Sequence, residues 1–327
     1  MAGPSPDQPL GAEAAASLTV SVVIPVFNGE HYIRPALLSV IQQTYPAAEI
    51  IVVYQTSSDN SLEILDSFDQ VGGLKVVHQP NPGLAAARNT GVEAASGDLV
   101  AFLDQDDVWF PDKLAAQVPL FEDMDVGVAG SFMTYLGPGN RPFGTRGEVV
   151  DGRGEDIAAA RIMPFAASSM ICRRSVLLEV GGFDTELIVP IDDFDCLSRM
   201  AASHRVDTVP RSLGYYRMRP DSLSFSRFYD LQRGILFLQD RIQHRRRGEE
   251  IAWTDWLAEH PTTIWEKWHE RKQLLYRRAG LFWIGGRRGR GIAYMTIAAL
   301  MGPRYVVQRA WQQFRTERHP PLAVLTE

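Results

Sequence analysis

Cysteine is nearly absent: Cys172 and Cys196 are the only two in 327 residues. Two thiols cannot build a disulfide scaffold or a cysteine-rich zinc site, and a reducing cytoplasm is the simpler setting for them. No stretch approaches the roughly 20 apolar residues of a membrane-spanning helix. The first residues carry Asp7 and Glu13 among Ala, Pro and Gly, without the basic start and apolar run of a signal peptide. Residues 1–17 are therefore expected to form a disordered leader. His31, His78 and His204 are scattered, which suits structural side chains better than a ligand set. Gly83 and Gly91 lack the spacing of a phosphate loop or a dinucleotide turn. No internal repeat is found.

The remainder has an ordinary globular composition, 45% hydrophobic and 22% charged, enough for one large α/β domain with an appendage. Charge is unevenly placed. Residues 1–226 hold 15 Lys and Arg against 29 Asp and Glu, whereas residues 227–327 hold 18 against 10. An acidic body with a basic tail suggests two surfaces with different partners.

Thr19–Val26 is apolar and β-rich, as a buried parallel strand is. A helical pattern through Ile33, Leu37, Leu38, Val40 and Ile41 follows the Asn28-Gly29 turn, and Pro46 ends it. Strands at Glu49–Val53, Leu74–Val77 and Leu99–Leu103 alternate with helices at Leu62–Phe68 and Gly83–Ala95, the first capped from Ser58–Ser61. This alternation predicts βαβ units, hence a mainly parallel sheet flanked by helices. Ligands of such sheets bind beyond the carboxyl ends of the strands, at Phe27-Asn28, Tyr54–Asp59, His78–Asn81 and Asp104–Asp107. Residues 126–226 are more mixed, and beyond 227 helical stretches carry six tryptophans, Trp311 the last, among arginines.

Asp104, Asp106 and Asp107 put three carboxylates within four residues directly after an apolar strand. Their repulsion is relieved by a hard divalent ion held jointly with substrate phosphates, or by solvent if the segment is an acidic turn capping the helix after Pro111. Asp192-Asp193 is a second acidic pair. It suits a general base or the first turn of a helix, and the two are compatible.

Ser21–Asn28, Gln43–Pro46, Asn81–Asn89, Phe102–Trp109, Gly181–Asp184, Asp192–Asp195 and Tyr216-Arg217 occur in an order that resembles family 2 glycosyltransferases of the GT-A fold. These are inverting enzymes that use nucleotide sugars. The resemblance covers residues 19–226 and implies a glycosyltransferase domain over 18–226, with 227–327 as a basic, aromatic-rich helical appendage. It implies that Pro25, Phe27, Gln55, Arg88, Asp104, Gln105, Asp106 and Arg219 line the nucleotide. Asp104 would hold the ribose side, Asp106 would ligate Mg²⁺ or Mn²⁺ at the diphosphate, and Arg219 would touch the diphosphate. Asp193 would be the base that deprotonates the acceptor, with Asp192 beside it on the acceptor side.

The implied donor is a UDP- or TDP-type sugar, hexosyl in kind, and the implied enzyme a metal-dependent, cytoplasmic one. The acceptor is open among a glycan, a lipid-linked intermediate, a peptide and a small molecule. Two departures stand out. Tyr54-Gln55 replaces the family's usual aspartate pair, although Gln55 can still accept and donate through its amide. Phe27, where Tyr is usual, keeps a stacking face and loses a hydroxyl. The altered pair keeps open the alternative of a non-catalytic nucleotide- or carbohydrate-binding module. In the tail, Arg245–Arg247 and Arg287–Arg290 recur among aromatics, which suits a solvated helical appendage, peripheral contact with an anionic membrane, or an acceptor or partner site. Nucleic acid is excluded as a partner by the acidic body and by the lack of a stacking platform.

Overall fold

The computed structural model describes residues 17–79, 83–150, 154–187, 189–219 and 222–307. Apart from Ser17 the expected leader lies outside the described residues, as do Asn81, Pro82 and Trp311. The first half alternates as predicted: β1 (Val20–Val26), α1 (Ile33–Ile41), β2 (Glu49–Gln55), α2 (Ser61–Asp66), β3 (Leu74–Gln79), α3 (Leu84–Ala94) and β4 (Leu99–Phe102). β1 pairs in parallel with both β2 and β4, and β2 with β3. Period-two alternation sorts the side chains of β1 between two cores. Val20, Val22, Ile24 and Val26 pack with Ile33, Leu37 and Val40 of α1, while Val23 joins Ala87 and Val92 of α3 on the other face.

The second half supplies β5 (Val108–Trp109), α4 (Lys113–Gln117), β6 (Val126–Gly137), β7 (Arg141–Arg146), α5 (Gly154–Ala158), β8 (Ile171–Arg173), α6 (Arg174–Glu179), α7 (Asp192–Ala201) and β9 (Arg205–Arg217). All nine strands form one sheet in the order β3-β2-β1-β4-β8-β6-β9-β5, with β7 paired to β6. The sheet is parallel in its first half and at β6–β9, whereas β5, β7 and β8 run antiparallel to their neighbours. A hairpin turn at Pro138–Asn140 explains β7: so short a link permits only antiparallel pairing.

Five helices follow: α8 (Leu223–Ser226), α9 (Phe228–Arg246), α10 (Trp253–Glu259) and the pair α11 (Ile264–Ile284) and α12 (Arg288–Met301). Phe237, Leu238 and Ile242 of α9 and Trp256 of α10 share a core with Ile191 and Phe194 at the start of α7. No described helix is long and apolar enough to cross a membrane. Cys172 and Cys196 are both buried and unpaired with each other.

One local expectation is corrected, and the cap expected from Ser58–Ser61 is narrowed to Asp59. β2 runs through Gln55 instead of stopping at Val53, which places Gln55 inside the sheet. At the start of α2 the Asn60 side chain makes no capping bond. Asp59 Oδ1 accepts from Ser61 N–H, and Asp59 Oδ2 accepts from Glu30 N–H and so ties α2 to the β1–α1 loop.

The closest helix–sheet approach on the α3 face is at Gly91, where an added Cβ would stand 2.2 Å from Val23 Cγ1. We expect Gly91→Ala to destabilise the fold by about 1–3 kcal/mol, overpacking outweighing the gain in helix propensity. Urea unfolding of this variant and of Val23→Ala/Gly91→Ala measures it. A rise in midpoint for the single variant would contradict the close approach.

Candidate active site

The carboxyl ends of β1, β2 and β4 lie side by side, and the residues that leave them form one rim. Phe27 follows β1 and is 45% exposed, so one ring face is open. Gln105 clamps its backbone from both sides: Phe27 N–H donates to Gln105 Oε1, and Gln105 Nε2 donates to Phe27 O, each at 2.9 Å. Gln105, expected against the nucleotide, therefore spends its amide on positioning Phe27. Pro25 is buried within β1, beside Val53 of β2. Gln55, at the end of β2, is buried and its carbonyl accepts from Gly83 N–H at 2.6 Å, so the acceptor atom expected to meet a base already holds the start of α3.

Arg88 of α3 joins the two acidic groups. Its guanidinium is 2% exposed, with Nη2 donating to Asp104 Oδ1 at 2.9 Å and Nη1 to Asp192 Oδ2 at 2.7 Å. Burial disfavours the cation, but Asp104, Asp192 and Asp193 outweigh it and hold Arg88 charged. Carboxylates 88 positions apart in sequence thus meet across one side chain.

The three carboxylates after β4 divide. Asp104 is partly exposed and faces Arg88, while its N–H donates to Ser168 Oγ at 3.1 Å. Asp106 Oδ2 pairs with Arg219 Nε at 2.9 Å. Burial and the Asp104 charge raise the Asp106 carboxyl above its ordinary range, against the pull of Arg219. Asp107 is buried, and its Oδ1 accepts from Arg217 N–H at 2.8 Å, so it anchors β9. Burial first, then Asp106 and Asp104, push its carboxyl well up. Among the described residues no three Asp, Glu, His or Cys side chains converge as a protein-only metal cage. The cluster offers two outward carboxylates, not three.

α7 begins with Asp192, Asp193 and Asp195 in its first turn, where the helix N-terminus favours negative charge. Asp192 is held by Arg88, and Asp195 by Arg199 at 2.6 Å and Arg245 at 3.0 Å. Asp193 makes no ion pair among the described residues; its Oδ1 accepts from Phe194 N–H at 2.9 Å. Burial and the Asp192 charge push its carboxyl up to about 6, while Arg88 and Arg146 pull it down.

Three contributors had no signal in the sequence. Arg146, on β7, lies 5.6 Å from the Tyr216 ring centroid, and against burial it is kept charged by Tyr216, Tyr135 and Asp193. Tyr32 offers its ring to Arg217 and Arg219, 5.3 and 4.6 Å from its centroid. Ser168 receives Asp104 N–H, and its carbonyl accepts from Trp109 Nε1. Ring stacking and hydroxyl placement depend on the long-range register of β6–β9, which no local motif encodes.

Arg88→Lys preserves charge but reaches only one carboxylate and leaves the other unpaired beside its acidic neighbours. We expect a loss of about 3–5 kcal/mol in urea unfolding. A loss below about 1 kcal/mol would show that Asp104 and Asp192 do not depend on the bridge.

Residues 21–181 match the family model of glycosyl transferase family 2. An uncharacterised glycosyltransferase of Nostoc sp. is 29% identical over 217 residues, covering 62% of this chain and 65% of its own length. A UDP-Glc:alpha-D-GlcNAc-diphosphoundecaprenol beta-1,3-glucosyltransferase of Escherichia coli is 39% identical over 102 residues, covering 31% and 40%. The chain thus spans less than two thirds of the length of these relatives. In structure, S. aureus TarS 1–349 in complex with UDP-GlcNAc superposes with a TM-score of 0.54 at 20% identity, over 94% of this chain and 95% of that one. The mannosyltransferase PcManGT of Pyrobaculum calidifontis, in complex with GDP-Man and Mn²⁺, gives 0.55 at 20%, over 91% and 80%. Fold, motif order and family match agree: the domain built on residues 21–181 belongs to glycosyl transferase family 2.

Proposed function

We propose that the chain is an inverting, metal-dependent glycosyltransferase moving a hexosyl unit from a UDP- or TDP-type sugar to an acceptor hydroxyl. What supports it most is the Arg88 bridge, which joins Asp104, two residues before Asp106, to Asp192, the neighbour of Asp193. The nucleotide lies across the strand ends, with its base on the open Phe27 face and its ribose at Asp104.

Asp106 suits a hard cation. Its carboxyl is destabilised as an anion by burial and by Asp104, and Mg²⁺ and Mn²⁺ take one or two carboxylates plus phosphate oxygens. Asp106, with Asp104 beside it, would hold such an ion, which neutralises charge on the leaving diphosphate. Arg219, fixed against Tyr32 and Asp106, adds a permanent positive charge at the same place.

On the acceptor side Asp193 takes up the proton as the acceptor oxygen bonds to the anomeric carbon. The old C–O bond breaks with its electron pair leaving on the diphosphate, so attack from the opposite face inverts the centre. Asp192, locked to Arg88, keeps Asp193 basic by its like charge. Buried, unpaired cysteines suit the cytoplasm as the place of this reaction. A glycan, lipid-linked, peptide or small-molecule acceptor is compatible with it.

A second reading, a non-catalytic nucleotide- or carbohydrate-binding module, draws on Gln55. Its carbonyl is engaged by Gly83 where the family carries an acidic pair. Donor hydrolysis over a panel of nucleotide sugars separates the two, since a binding module releases no nucleoside diphosphate.

Asp193→Asn is expected to lower kcat by about 10²–10⁴-fold with donor affinity unchanged in calorimetry. Equal turnover would remove Asp193 from the chemistry. A base that titrates near 6 is protonated at lower pH, so kcat/KM should be flat above that value and drop about tenfold per pH unit below it. A profile still flat at pH 5 would contradict the assignment. Asp106→Asn should abolish the gain in donor affinity produced by Mn²⁺; an undiminished gain would place the ion elsewhere.

A further inference from the structure

The basic tail divides in space. Arg241 and Arg245 of α9 are used by the domain, pairing with Asp184 at 2.6 Å and with the buried Asp195 at 3.0 Å. The cations further along are different. From Arg271 to Val307 the sequence holds eight Lys and Arg and no Asp or Glu. Arg271, Arg278, Arg287, Arg288, Arg290 and Arg304 are exposed and make no ion pair among the described residues.

These cations decorate a helical hairpin. α11 and α12 pack antiparallel: Phe282 stacks on Tyr294 at 5.3 Å, Trp268 Nε1 donates to Met301 O at 3.3 Å, and Ala279 and Ala298 are fully buried. The turn end rests on the β6–β7 hairpin, where Ile284 abuts Gly137 and Gly285 abuts Pro138. α12 buries Gly291 and Ala298 on its inner face, yet its outer face is also apolar. Ile292, Ile297 and Leu300 are 55%, 47% and 81% exposed and share the side of α12 turned away from Gly291 and Ala298, within about 140° of arc. The exposed Trp283 lies near the turn with the Arg288 guanidinium over its ring, and Trp268 lies at the opposite end beside Met301.

We infer that the outer face of the α11–α12 hairpin docks on an anionic lipid bilayer. Ile292, Ile297 and Leu300 enter the acyl boundary while the surrounding arginines meet the headgroups. Three features favour this occupant. An exposed aliphatic face beside tryptophans matches the interfacial zone of a bilayer, where indoles concentrate. Over the hairpin cations outnumber acids eight to two, Glu266 and Glu270 lying in the first two turns of α11, and this excess complements anionic headgroups. A second copy of the chain, docked through the same patch, would bring like cations together. Nucleic acid would leave the aliphatic face in water. The inference does not depend on the catalytic reading.

Co-sedimentation of the full chain with vesicles tests it. Binding is expected to vesicles of phosphatidylcholine with phosphatidylglycerol, not to phosphatidylcholine alone, and should weaken as salt rises. The variant Arg287→Glu/Arg288→Glu/Arg290→Glu should bind at least about a hundredfold more weakly, since each cation near such a surface contributes roughly fivefold. Ile292→Ser/Ile297→Ser/Leu300→Ser should also lose binding. Thermal melts matching the parent would show that docking, not folding, was lost. No binding to anionic vesicles at low salt, or binding that neither variant weakens, would overturn the inference. So would a parent dimer in light scattering that the serine variant dissolves, which would assign the face to a second copy.

Discussion

Everything proposed for the cleft depends on one buried guanidinium. Arg88 sits under the junction between the parallel half of the sheet, which carries Asp104, and the mixed half, which delivers Asp192 through α7. A lone cation 2% exposed would be untenable; two carboxylates and the Phe183 ring, 5.4 Å from its carbon, make it stable. Only a planar fork can satisfy two carboxylates in different directions at once, which is why arginine and not lysine stands here. The adjacent Asn89 reinforces the junction by exchanging bonds with Phe183, its Nδ2 donating to Phe183 O and its Oδ1 accepting from Phe183 N–H. That close approach requires glycine at 182, where φ is +67° and a Cβ would stand 2.5 Å from Asn89 Oδ1.

The same pairing principle sets the roles of the aspartates. Within α7, arginines neutralise Asp192 and Asp195 and so fix the helix start. Asp193 is left to carry a carboxyl raised by its surroundings. Beyond β4, Asp107 is drawn inward to hold β9, while Asp104 and Asp106 stay toward the cleft. Like charges so close together are sustained only because each has a different partner. Arg88 serves Asp104, Arg219 serves Asp106, and the Arg217 backbone serves Asp107.

How much of this was legible depended on whether the determining interaction was local. β1 to β4 were readable because alternating valines and isoleucines need only their own strand to sort inward. Asp104 and Asp106 stood out because acids directly after an apolar strand conflict with their neighbours. Nothing within β2 announces that the strand continues two residues further to Gln55, whose partner Gly83 lies 28 positions away. Gln105 has the sequence context of a ligand contact, but its partner is the backbone of Phe27, which has no sequence signature at all. Arg146 and Tyr32 escaped for the same reason: their importance comes from β7 and from the β1–α1 loop folding against β9.

The charge asymmetry of the chain takes on a spatial meaning once pairing is traced. The arginines of α9 reach back to Asp184 and Asp195, so the acidic body draws its first basic partners from the tail and becomes continuous with it through the Phe237–Trp256 core. The exposed arginines beyond α10 stand outside that demand among the described residues. α11 connects the two regimes. Arg277 packs its guanidinium over Phe228 and Phe225, 4.8 and 5.5 Å from their centroids, on the side of α11 that faces the domain. Arg271 and Arg278 stand exposed on the same helix. A helix that is buried by aromatics on one side and cationic on the other ties whatever the outer face touches to the orientation of the cleft. Under the proposed function, docking there would therefore fix the direction from which an acceptor approaches Asp193.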